Sequence, residues 1–186
     1  MLYHGNQIKG IRLLMPHVSE HGRPYAYFTE NPVVAALYTV HPVEKPYSWY
    51  PYGYDEAGTP VYMEYYPNAL EDIYGGQAGY LYGCERLPKG GISLENRVFV
   101  ADEPVPVSSC TPIGDVHACL LEQERLGQFK VVHYDELSDG QRDQAERLVA
   151  EEIHKFNLRA QPDCGYARFL RARFATVWET AGKERD

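Results

Sequence analysis

His4 and Gly5 form the first candidate site. The histidine closes a short run, Met1-Leu2-Tyr3-His4, that reads as a strand ended by Gly5, and a glycine there lets a ligand approach the backbone closely. The second candidate is Tyr25-Ala26-Tyr27-Phe28-Thr29 followed by Ala35-Ala36-Leu37-Tyr38. Tyr27 and Tyr38 are eleven positions apart, so a strand and the helix after it can set two phenol rings on either side of a flat ligand. Each such stacking contact is worth about 1 kcal/mol. Core packing is the competing use of the same aromatics. Arg12 and Arg23 offer guanidinium groups suited to bidentate contact with a pyrophosphate.

Other chemistries lack their signatures. No GxGxxG or GxxxxGK[ST] loop occurs, nor any HExxH or GxSxG motif. Cys84, Cys110, Cys119 and Cys164 form no CxxC pair, and His17, His21 and His41 have no metal-ligand spacing, so free thiols and no metal site are expected.

The elements that must position these residues fall into two regions, with no linker between them. Residues 1–110 read as short strands with one or two helices, and residues 111–186 as a mostly helical extension packed on the same domain. Pro24 to Thr29 reads as a strand, and Asn31 caps a helix with Pro32 at its first position. Residues 46–66 hold seven tyrosines and Trp49, and read as a projecting hairpin turning at Asp55-Glu56-Ala57-Gly58, a lid or partner surface. A short helix ends at Gly75-Gly76. Strands follow at Gly79 to Glu85, Arg97 to Ala101 and Val105 to Ser108. Thr111 is expected to cap a helix over Pro112 to Leu126, stopped by Gly127, with a late strand from Phe129 to Tyr134. Ser138 and Gln141 form a capping box for a long helix, and a last helix is expected from about Gly165 to Thr180.

The whole chain has 186 residues, enough for one core, and a formal charge of −8 from 18 basic and 26 acidic residues. That balance argues against nucleic acid as a partner. No targeting stretch and no window of eighteen apolar residues occurs, so a cytoplasmic protein that neither spans nor anchors to a membrane is expected.

Taken together, Leu2-Tyr3-His4-Gly5, Ser19 and Tyr25 to Thr29, with an Ala-rich helix carrying Tyr38, resemble the ADP-ribosyltransferase superfamily in its diphtheria-toxin and poly(ADP-ribose) polymerase branch. The likeness is closest to the small rifamycin ADP-ribosyltransferases, covering residues 2–38 well and about 80–116 loosely. The resemblance implies an α+β fold with a split, two-sheet antiparallel core and peripheral helices. It implies NAD as substrate, with ADP-ribose passed to a small-molecule or protein acceptor. His4 would then hold the adenosine ribose, the Gly5 backbone the nicotinamide amide, and Tyr27 and Tyr38 the nicotinamide ring. Ser19 and Arg12 would complete the cofactor site. The family's third element is a late-strand carboxylate that stabilises the oxocarbenium-like charge growing as the glycosidic bond breaks. Glu95, Glu103 and Glu85, in that order, are the candidates. An inactive nucleotide-binding or interaction module on the same fold is the alternative, and the RNA 2′-phosphotransferase relative is disfavoured by the negative charge.

Overall fold

The computed structural model describes residues 1–18, 22–40, 52–88, 91–94 and 97–181. It is a mixed α+β chain with antiparallel sheets. The chain divides into two compact units, one made of residues 1–41, 52–62 and 70–131, the other of residues 42–51, 63–69 and 132–186.

The first unit is built on an antiparallel sheet. Its strands are β1 (Leu2–Asn6), β4 (Pro24–Thr29), β7 (Gly79–Cys84), β8 (Ile92–Ser93), β9 (Val98–Ala101) and β11 (Ser109–Ile113), in the order β11-β7-β1-β4-β9-β8, with β3 (His17–Val18) also paired to β4. A ribbon of β2 (Leu13–Leu14) and β10 (Val105–Pro106) and a sheet in the order β12-β6-β5 complete the strands, where β5 is Tyr52–Tyr54, β6 Pro60–Met63 and β12 Lys130–Val132. The helices here are α1 (Pro32–Leu37), α2 (Ala69–Tyr74) and α3 (Val116–Arg125).

β1 is not ended by Gly5. It runs on to Asn6 and pairs with β7 over its whole length, from Leu2 opposite Cys84 to Asn6 opposite Tyr80. Its other neighbour, β4, meets it through the single pair Tyr3 and Thr29. Side chains alternate along β4. Ala26 and Phe28 enter a core with Leu14, Tyr82, Cys84, Leu87, Ala101 and Val105, which leaves Tyr27 and Thr29 on the opposite face.

α1 packs on that opposite face. Asn31 caps it as expected, its side-chain oxygen accepting from Val33 N at 2.8 Å and Val34 N at 3.4 Å. Every residue from Val33 to Leu37 is buried. The packing is close enough to dictate glycine at two places. A Cβ on Gly5 would lie 2.0 Å from the Ala35 carbonyl oxygen, and one on Gly79 would lie 1.9 Å from Thr39 Cγ2.

The hairpin forms where the sequence places it. Asp55 Oδ1 accepts from Ala57 N (3.0 Å) and Thr59 N (2.8 Å), and Gly58 supplies the positive φ that closes the turn. It does not stand as a lone projecting arm, because β12 flanks β6 and Tyr62 is fully buried. Residues 46–51 of the expected hairpin lie outside the described residues.

Thr111 caps no helix. Ser109 to Ile113 pairs with Gly79 to Gly83 of β7 as the end strand of the sheet, the position where a strand proline is tolerated. Asp115 caps α3 instead, accepting from Ala118 N at 2.9 Å and from Gly76 N at 3.0 Å, and these amides hold its carboxyl below the usual carboxylate range. The first unit thus runs through α3 to Val131, whereas composition suggests a break near residue 110.

The second unit contains α4 (Asp139–Lys155), α5 (Gly165–Arg173) and α6 (Ala175–Thr180). The Ser138–Gln141 capping box starts α4. The expected last helix is broken at Phe174, which adopts φ −129° and ψ 50° and buries its ring 5.7 Å from that of Tyr66. Val149, Ile153, Phe169, Leu170 and Val177 complete this core.

Candidate functional site

The place where β1 and β4 part brings together His4 and Tyr27, with Gly5 next to His4 in β1. β1 and β4 pair at Tyr3 and Thr29, and beyond that pair the His4 side chain reaches the Tyr27 carbonyl, with Nδ1 at 2.8 Å from the oxygen. A carbonyl can only accept, so Nδ1 carries the proton and Nε2 is the acceptor. The Asn6 amide nitrogen lies 3.4 Å from that Nε2. The imidazole is therefore held in one tautomer, its ring 5.9 Å from Phe28.

Tyr27 projects from the α1 face of β4, half-buried, with its ring edge-on to Tyr25 at 6.4 Å. Tyr38 closes the C-terminal end of α1, also half-buried. Its hydroxyl donates to the Tyr52 hydroxyl at 3.0 Å, and the two rings meet at 88° with centroids 5.8 Å apart. Among the described residues, then, the ring neighbour of each of these two phenols is a different tyrosine. Strand and helix carry them from the same side of the sheet, with Gly5 beneath α1 on that side as well.

Gly5 itself has a different reason to be glycine than the sequence suggests. Its missing side chain admits the backbone of α1, with Ala35 and Thr39 against it, so close ligand approach is not what the position requires.

The hairpin brings residues to this region that spacing alone did not single out. Tyr52 stands against Tyr38, Tyr54 lies 6.3 Å from Tyr52, and the Arg97 guanidinium sits 4.8 Å over the Tyr54 ring. Burial pushes the Tyr52 phenol above its ordinary value, and the hydrogen bond with Tyr38 offsets part of that. Burial raises Tyr54 too, with the Thr29 hydroxyl and Arg97 acting the other way. The alternation Tyr52-Gly53-Tyr54 was the available signal, because it puts two rings on one face of a strand.

The remaining candidates are placed as follows. Arg12 and Arg23 are exposed, and the Arg12 carbonyl accepts from Val107 N at 3.1 Å. Glu103 is half-buried two residues beyond the end of β9, past Ala101, which pairs with Ala26 of β4. Glu85 is exposed directly after β7, two strands away from β4. Ser19 and Glu95 lie outside the described residues. An open depression of about 270 Å³ lies beside the first turn of α1, lined by Asn31, Pro32, Gly58, Thr59 and Gln128, and includes neither Tyr27 nor Tyr38.

All four cysteines are free thiols, and burial in β7 pushes Cys84 up to about 11. Among the described residues no group of three His, Cys, Asp or Glu side chains is placed to hold a metal ion, and no helix is long and apolar enough to cross a membrane. Comparison with protein-family models, with curated proteins and with solved structures returns no match.

Proposed function

We propose that the first unit binds NAD and transfers its ADP-ribose to an acceptor nucleophile, as the resemblance of its opening segment to ADP-ribosyltransferases implies. One observation carries the reading: Tyr27 and Tyr38 issue from consecutive elements on the same side of the sheet, while His4, its ring on the Phe28 face, bonds the Tyr27 carbonyl where β1 and β4 part. The nicotinamide ring would lie between the two phenols. The His4 Nε2 acceptor would take a ribose hydroxyl, and the fold would be the split-sheet type of that superfamily.

In the reaction the bond between C1′ of the ribose and the nicotinamide nitrogen breaks, and nicotinamide leaves with the electron pair. The ribose carries the positive charge until the acceptor attacks C1′ and releases its own proton. A carboxylate helps because its attraction to the ribose grows as the charge develops. Glu103, past the end of β9 and half-buried, and Glu95 are the two candidates to supply it, with Glu85 a weaker third.

Nicotinamide release from NAD, assayed on the wild type and on Glu95→Gln and Glu103→Gln, tests the assignment. One of the two variants is expected to lose at least about 100-fold in rate, the usual scale for removing a charge that stabilises a transition state. NAD that binds without being consumed would point to the module that holds a nucleotide and does no chemistry. A chain that neither binds nor consumes NAD with any acceptor overturns the proposal.

A further inference from the structure

We infer that Tyr52, from the hairpin strand β5, is the positioning residue of the nicotinamide clamp, holding the Tyr38 ring in the plane that stacks on the pyridine. The inference rests on the NAD reading above and names a residue which that reading does not require.

Tyr38 is the C-cap of a six-residue helix. Tyr52 holds its ring in two ways at once. The hydroxyl-to-hydroxyl bond of 3.0 Å fixes the far end of the ring, and the near-perpendicular contact at 5.8 Å fixes its tilt.

Tyr52 is itself held. Its ring meets Tyr54 at 6.3 Å and 79°, and the Arg97 guanidinium covers Tyr54. That same guanidinium lies against Gly58, where an added Cβ would come within 3.2 Å of it. Asp55 locks the turn that contains Gly58. A continuous line of contacts therefore runs from Tyr38 to a rigid turn, all of it within the first unit. The tyrosine-rich hairpin is in this account the wall that gives the clamp its fixed geometry.

The test compares two probes on the full chain, NAD and ADP-ribose, because Tyr38 stacks on the part that ADP-ribose lacks. Tyr52→Phe keeps the ring and removes the hydroxyl. It is expected to weaken NAD binding about three- to tenfold, the range for one net hydrogen bond, and to leave ADP-ribose binding within about twofold. Tyr52→Leu removes the ring as well and is expected to deepen the loss for NAD while still sparing ADP-ribose. A general structural defect would weaken both probes together, and that result overturns the assignment. Unchanged NAD binding in both variants overturns it too. If the wild type binds ADP-ribose and NAD equally, no clamp exists and Tyr52 has nothing to position. If the wild type binds neither, the NAD reading itself falls and the Tyr52 assignment falls with it.

Discussion

Gly5 shows how one residue can be read correctly in type and wrongly in cause. The sequence marks it as a place of close approach, and the structure supplies the approaching group: the α1 backbone, 2.0 Å from where a Cβ would sit. Gly5→Ala is therefore expected to cost about 3 kcal/mol or more, the upper range for overpacking, because the atoms in the way are backbone and cannot rotate aside. Urea unfolding measures this directly. His4 reads from the sequence as a strand-end histidine but lies in the middle of β1, and its tie to the Tyr27 carbonyl was not legible, since that bond depends on β1 and β4 separating after one pair. The thiols give a second prediction at this scale. Cys84 is buried and pushed up to about 11 from 9.0, so its neutral form is favoured by folding. That contribution is complete below pH 9 and is lost as pH rises toward 11, where the unfolded chain ionises and the folded one does not. Cys84→Ala should flatten the fall of unfolding free energy across that window relative to wild type. The exposed Cys110 should meanwhile react with a thiol reagent under native conditions, before Cys84 does.

At the scale of elements, local chemistry was legible wherever a cap or turn residue acts on its own neighbours. Asn31-Pro32, Ser138 with Gln141, Asp55 with Gly58, and Gly127 all do what their types dictate. Failures came where a distant strand competes. Thr111-Pro112 looks like a helix start, but pairing with β7 claims it as an edge strand and passes the cap to Asp115. Phe174 looks like one more apolar position in a helix, and the burial of its ring against Tyr66 and Phe169 within the second unit goes with the break there. Asn31→Ala should cost about 1 kcal/mol, the usual value of a lost N-cap. Since α1 also carries Tyr38, the same variant should weaken NAD binding, whereas a change at an exposed surface site of equal cost would not. Thermal unfolding and an NAD titration on one preparation separate the two effects.

For the molecule as a whole, composition specified little, and the division of the chain was beyond its reach. Residues 63–69 belong with the C-terminal helices because of three-dimensional contacts that no composition shift announces. The tyrosine excess is the other whole-chain feature, and it is distributed by role. Tyr62, Tyr74 and Tyr82 are fully buried, and Tyr82 ties the loop after β1 through bonds to Ile8 and Ile11. Tyr25, Tyr27, Tyr38, Tyr52 and Tyr54 stay half-buried, Tyr25 against Tyr27 on β4, and Tyr38, Tyr52 and Tyr54 in a run of ring contacts between the end of α1 and the hairpin. The measurement that bears most directly on the account is a calorimetric titration of NAD into the wild-type chain and into Tyr27→Ala and Tyr38→Ala. Saturable binding to the wild type, weakened about fivefold in each variant, is the predicted result, given the stacking energy of about 1 kcal/mol assigned to each ring. Wild-type binding that survives both substitutions, or no binding at all, would contradict it.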